Sequence, residues 1–154
     1  MSGKRFSLDA NVLIYSIDRS SSSKHERAIS IVDGAADLDC VLTLQALGEF
    51  FVVVTRKGIV SPRDAMAQAE SWLTVFPTTA PNPAVMSAAF AEVVQRRLAF
   101  WDAMLLATAN EAGCDLVLSE DMHDGTRFGN LTVRNPFVGP ELSEDIRAVI
   151  GFNR

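Results

Sequence analysis

Residues 5–15 read RFSLDANVLIY, and no other stretch restricts the fold so tightly. Phe6 and Leu8 alternate with Arg5 and Ser7, the period of a half-buried strand, and the run stops at Asp9. A second apolar run opens at Val12 and carries a short helix to Ile17. A strand, a carboxylate at its end and a helix start, all within one short stretch, belong to an α/β unit. In an open α/β sheet, ligands sit just beyond the carboxyl ends of the strands, so Asp9 stands where chemistry is usually done. Asp is also a common helix cap, and taken alone Asp9 asks for nothing more.

The alternation continues along the chain. Ser23 and Glu26 form a capping-box pattern, which predicts a helix from Lys24 to about Gly34. Asp39 to Leu42 reads as a brief strand, with Thr43 as cap of the next helix, LQALGEFFVVVTRKG. There Leu44, Leu47, Phe51 and Val54 recur at helical spacing and Gly58 is the stop. Glu49 sits inside this apolar run, either facing solvent beside Gln45 or held by a partner such as a cation. Ser61 and Pro62, then Asn82 and Pro83, open two further helices, with a short strand around Val75 to Thr78 between them. The second of these carries Val85, Ala89 and Val93 and ends near Arg96 and Arg97.

In AFWDAMLLATANEAG the apolar stripe is Trp101, Leu105, Ala109 and Ala112, and Gly113 ends the helix. Asp102 falls in its first turn, where the helix dipole favours negative charge. The strand DLVL, Asp115 to Leu118, follows, and its end carries Ser119, Glu120, Asp121, His123 and Asp124. A second strand end thus bears acids, as the first does. Leu131 to Arg134 reads as an edge strand, followed by a Pro-rich turn and a final helix from about Glu144.

At 154 residues and 48% hydrophobic, the chain suits one compact domain, residues 1–154. A formal charge of -5 argues against non-specific affinity for nucleic acid, so such a substrate needs local basic residues or bridging cations. Cys40 and Cys114 lack metal-like spacing and read as buried apolar residues of a reduced, cytoplasmic protein. Asp9 interrupts the apolar run that a signal peptide would need, and no segment approaches the roughly 20 apolar residues of a membrane span.

Strand and helix in alternation imply a parallel sheet covered on both faces, with neighbouring strand ends meeting at one edge. Asp9 and Asp121 follow two different strands, Asp102 opens a helix leading into the second, and Glu49 lies on the helix after another. Carboxylates brought together raise one another's pKa unless a counter-charge joins them. Hard oxygen ligands point to Mg²⁺ or Mn²⁺ in preference to zinc. Such an ion activates water and steadies a phosphate, which directs the reading towards phosphodiester hydrolysis.

LDANVLIY, Glu49 in its apolar helix, FWDAMLLATA and LVLSEDMHDG, in this order, resemble the motifs of PIN-domain ribonucleases, especially the VapC-like toxins of bacterial toxin–antitoxin pairs. The resemblance spans nearly the whole chain. It implies a three-layer α/β/α sandwich with a central, mainly parallel sheet and a Mg²⁺-dependent endoribonuclease acting on RNA. It also implies an antitoxin partner of the VapB kind, a homodimer, and products with a 3′-hydroxyl and a 5′-phosphate. Carried over by position, the four acids are Asp9, Glu49, Asp102 and Asp121, with Asn11 and Ser119 as accompanying polar positions. Asp9 and Asp102 would hold the metal, and Glu49 and Asp121 would ligate it or handle the attacking water. Asp124 could replace or assist Asp121, and Ala10 stands where many relatives have Thr.

Arg96 and Arg97, together with Arg19, Lys24, Arg56 and Lys57, are positioned to meet RNA phosphates or simply to be solvated surface cations. His25 reads as an exposed helix residue, and His123, nearer the acids, as a possible substrate contact. Trp72, Trp101 and the phenylalanines fit core stripes better than base-stacking platforms. An arginine-bearing antitoxin peptide would compete for the acidic pocket. Two other classes compete with the nuclease: a PIN-like protein-binding module with little turnover, and a HAD-type phosphatase. The phosphatase would want a second Asp two residues after Asp9, where this chain has Asn11.

Overall fold

A computed structural model describes residues 4–150, so the opening three residues and the last four of the expected domain lie outside it. It bears out a three-layer α/β/α arrangement around a central sheet that is mainly parallel. The first unit is β1 (Phe6–Leu8) and α1 (Ala10–Ile17), followed by α2 (Ser22–Ala35). Then come β2 (Leu42–Thr43), α3 (Leu44–Arg56), α4 (Pro62–Val75), β3 (Thr78–Thr79) and α5 (Pro83–Val94). The chain continues through α6 (Phe100–Glu111), β4 (Leu116–Leu118), β5 (Arg127–Phe128), β6 (Leu131–Arg134) and α7 (Glu144–Ile150).

The four-stranded sheet runs in the order β1-β4-β6-β5, parallel except for β5. The parallel pair β2-β3 joins it through a single bridge between Phe6 and Cys40. Phe6, Leu8, Leu13, Ile31, Leu42 and Phe50 form the centre of the main core. Helix α1 packs against both α2 and α3, α3 packs against α4, and α5 lies along α6. Cys40 and Cys114 are free and buried, as the sequence implies. Among the described residues no helix is long and apolar enough to cross a membrane.

Three of the expected caps form. Thr43, Ser61 and Asn82 each accept a backbone N–H from three residues on, satisfying a donor that the helix itself leaves free. The Ser23–Glu26 box does not: α2 starts at Ser22, and Ser21 occupies the cap position without a side-chain bond. Val75 stays in α4, because Phe76 N–H still reaches the Trp72 carbonyl, and the strand shifts to Thr78–Thr79 beyond Pro77. Leu131–Arg134 is interior to its sheet, because Arg127–Phe128 pairs outside it through a tight turn at Gly129 and Asn130. Gly129 has φ +56, and a Cβ there would come within 2.6 Å of the Asn110 side chain, so the turn favours glycine and any other residue would have to displace Asn110.

Helix faces differ in detail from the expected stripes. In α3 the buried positions are Ala46, Leu47, Phe50 and Val54, while Leu44 and Phe51 face out. Phe50 meets Trp72 of α4 edge-on at 4.8 Å, which fixes this rotation. In α6 every residue from Ala103 to Ala109 is buried, since the helix is clasped by α5 on one side and by β2 and β5 elsewhere. Trp101, expected in the core, is 61% exposed.

Candidate active site

Parallel pairing of β1 with β4 sets Leu8 opposite Leu118, so the next residues, Asp9 and Ser119, leave the sheet side by side. Asp9 is the cap of α1 and more. Its Oδ1 accepts from Ala10 N–H at 2.7 Å, and its Oδ2 accepts from Ser119 Oγ at 2.7 Å and Asn11 Nδ2 at 3.4 Å. Ser119 Oγ in turn accepts from Asn11 Nδ2 at 3.2 Å and from Asp121 N–H at 3.2 Å. Asn11 Oδ1 accepts from Glu120 N–H at 3.1 Å. All three of Asp9, Asn11 and Ser119 are buried. The network locks the loop after β4 onto the start of α1, and with it the placement of Asp121.

Glu49 reaches this edge from α3. Gln45 Nε2, one turn earlier, donates to Glu49 Oε1 at 3.0 Å and to the Trp101 carbonyl at 2.9 Å. The bond couples α3 to the first turn of α6, where Asp102 lies half-buried. Burial pushes the Asp9 carboxyl up from its ordinary 3.8 to about 6; the Ser119 and Ala10 bonds oppose this, and the charges of Glu49 and Asp121 add to it. Burial likewise raises Asp102, helped by the charges of Asp121 and Glu49. The four acids therefore share one electrostatic field. Among the described residues, none of them has a Lys or Arg within salt-bridge distance.

Asp124 is engaged by other partners: its Oδ1 accepts from Asn135 N–H at 2.9 Å and lies 3.9 Å from Arg134. Lys24 is engaged too, its Nζ 2.7 Å from Glu120 Oε2 and over the Tyr15 ring, while Tyr15 Oη donates to Glu120 Oε1 at 2.7 Å. Sequence reading passed over this Tyr15–Lys24–Glu120 clasp, although Tyr15 lies one helical turn after Asn11, on the face that meets the loop. His25 Nδ1 bonds the Tyr15 carbonyl at 2.8 Å, so it is a tether rather than a free surface residue. His123 is exposed.

Whether the residues suit a divalent cation can be judged from their own chemistry. They offer hard carboxylate oxygens without basic partners, and Gln45 Oε1 beside them is buried with no hydrogen-bond partner. Both features fit Mg²⁺ or Mn²⁺ and its water better than zinc. Among the described residues, no three acids, histidines or cysteines stand close enough together to form a ready-made chelate.

Removing the Ser119 hydroxyl tests the network. In Ser119→Ala the carboxyl of Asp9 loses the bond that holds its pKa down, so its titration midpoint, followed by carboxyl-carbon NMR, is expected above the wild-type value of about 6. An unchanged midpoint would show that the bond plays no part in tuning Asp9.

Residues 7–123 match the PIN domain. The chain belongs to the PIN-domain family. This PIN domain shares its fold with the VapC20 toxin of Mycobacterium tuberculosis, which cleaves the sarcin–ricin loop. The two are 19% identical with a TM-score of 0.60, over 82% of this chain and 98% of that one. DNA-bound VapBC from Salmonella typhimurium is similar at 15% identity and a TM-score of 0.62, covering 86% and 98% of the respective chains. A toxin–antitoxin complex from Klebsiella pneumoniae is similar at 21% identity and a TM-score of 0.59, over 85% and 97%. Comparison with curated proteins found no significant match. Membership of the PIN family leaves the HAD-type phosphatase reading without support.

Proposed function

We propose that this PIN domain is a divalent-cation-dependent endoribonuclease that hydrolyses RNA phosphodiester bonds, and that it serves as the toxin of a cytoplasmic toxin–antitoxin pair. The observation that carries the reading is the single field shared by Asp9, Glu49, Asp102 and Asp121, acids from four different parts of the chain with no basic partner to neutralise them. Bound Mg²⁺ supplies the missing positive charge and lowers the pKa of a water molecule.

The chain's own residues divide the remaining work. Asp9, fixed at both oxygens, and Asp102, on a buried helix, are the rigid anchors for the cation. Glu49 and Asp121 are exposed, and their carboxylate oxygens take up the proton of the attacking water. Asn11 and Ser119 keep Asp9 oriented. Water attacks phosphorus as its proton passes to Glu49 or Asp121, the P–O3′ bond breaks, and the departing 3′-oxygen takes a proton from solvent water, so the products carry a 3′-hydroxyl and a 5′-phosphate.

A cavity of about 240 Å³ between α1 and α3 includes Asp121 and Asn11 in its wall, with Ile14, Tyr15, Val53 and Ile59 and the charged pair Asp18 and Lys57. It suits an antitoxin segment of mixed polarity whose arginine reaches the acids, and the fold likeness to toxin–antitoxin complexes supports that partner. A homodimer is part of the same proposal, on the family resemblance alone. A second reading, a protein-binding module with little turnover, is favoured by the absence of a ready-made chelate among the described residues. Incubating the purified protein with RNA in Mg²⁺ and in EDTA separates the two. Cleavage that EDTA stops and Mg²⁺ restores is expected; intact RNA under both conditions would favour the binding module.

A further inference from the structure

Trp101 exposes 61% of its surface one residue before Asp102, in a chain whose other tryptophan, Trp72, is 6% exposed. Phe90, 53% exposed, joins it through Phe100, so the indole belongs to an exposed aromatic patch rather than standing as a lone surface side chain, and such a patch marks a binding surface. Its position is fixed. The Trp101 carbonyl is held by Gln45, the residue that also holds Glu49. The ring leans edge-on against Phe100 at 4.9 Å, and Phe100 stacks on Phe90 at 5.9 Å. One side of the indole is thus braced while much of the remainder stays open.

The turn leading into α6 adds positive charge. Arg96 and Arg97 are both exposed, and Arg97 makes only a loose 4.0 Å contact with Glu92. Four chain steps limit the Cα separation of Arg97 and Trp101 to about 14 Å. Arg96 has φ 58 and is the sole non-glycine in the left-handed region among the described residues. It is the residue that closes α5: Arg96 N–H reaches the Val93 carbonyl and Arg97 N–H the Glu92 carbonyl, each at 3.0 Å, and this helix end fixes where the two arginines leave the helix.

We propose that Trp101, with Arg96 and Arg97, forms a platform for single-stranded RNA, the indole stacking on a base next to the scissile bond and the guanidinium groups meeting the flanking phosphates. The proposal rests on the ribonuclease reading. An aromatic face beside cations matches the chemistry of an unpaired nucleotide, which presents a flat ring and a phosphate together. Bases within a duplex already have both faces covered. A purely apolar protein partner would use the ring but leave the two arginines without a role.

The test measures binding apart from turnover, on the Asp9→Asn background with Mg²⁺ present. Short single-stranded oligoadenylate is expected to quench the part of the intrinsic fluorescence that comes from Trp101, since buried Trp72 emits but cannot touch a base, and the same strand annealed to its complement is not expected to quench it. Adding Trp101→Ala should weaken oligoadenylate binding roughly 5- to 150-fold, and Trp101→Phe should recover much of the loss. Arg96→Ala and Arg97→Ala should each lower the slope of log affinity against log salt by about 1. Circular dichroism checks that each variant is folded.

Unchanged fluorescence at saturation, or equal affinity with and without the indole, overturns the platform. So does a Trp101→Ala variant that dissociates in sedimentation while binding RNA normally, since the face would then join two copies. RNA cleavage by a chain whose binding ignores Trp101 sinks the platform and spares the nuclease. Indole-dependent binding by a chain that never cuts RNA does the reverse.

Discussion

Asparagine in place of Asp9 or Asp102 is expected to lower Mg²⁺-dependent RNA cleavage by on the order of 10³-fold, with circular dichroism unchanged. Asparagine keeps the shape and one acceptor oxygen, so the cap on Ala10 survives, while at Asp9 its amide faces Ser119 Oγ and Asn11 Nδ2 where a carboxylate oxygen had accepted, a local change at the sheet edge. What it removes is the negative charge that a hard cation needs, at the two carboxylates set deepest in the protein. Binding of Mn²⁺, read directly by its paramagnetic resonance, should weaken in parallel with activity. Undiminished cleavage in both purified variants would remove the catalytic proposal, because Glu49 and Asp121 alone lie too near the surface to hold an ion rigidly.

Without a divalent ion the wild-type protein should lose stability as pH rises. Folded Asp9 titrates near 6 against an ordinary 3.8, so between these values the folded chain holds a proton that the unfolded chain has released. The unfolded state binds fewer protons in that window, and stability therefore falls with increasing pH. The gap corresponds to about 3 kcal/mol, lost once the pH passes the folded value of about 6. Urea unfolding in EDTA at about pH 4 and about pH 7 should reveal the fall. Asp9→Asn, which has no proton to lose, should flatten it and be the more stable protein at the higher pH. Mg²⁺ should restore wild-type stability there, by binding only the folded form. A wild-type profile that rises over this interval would contradict the environment assigned to Asp9.

Much of this was readable from local chemistry. The strand ending at Asp9 and the one ending before Ser119 announce themselves by short apolar runs followed at once by polar residues, and parallel pairing then leaves the two residues adjacent. The caps at Thr43, Ser61 and Asn82 are equally local. The misses share a cause, which is tertiary context. Helix α6 is buried nearly all round, so its apolar residues define no single face and the place of Trp101 could not be read from spacing. Strand β5 is two residues long and has no period of its own, although the Gly129–Asn130 pair was a usable turn signal. The partners of Asp124 are Arg134 and Asn135, which a β-hairpin brings back to the loop. The clasp of Tyr15, Lys24 and Glu120 likewise joins residues about a hundred positions apart.

The pairing of β1 with β4 also governs timing during synthesis. Leu8 meets Leu118 only after the ribosome has added the segment that follows α6, and Asp121 comes later still. A nascent chain therefore carries Asp9 well before the neighbours that bury it have been made. The acidic centre can come together only after Asp121 has left the ribosome, so a chain still short of that point cannot yet possess it.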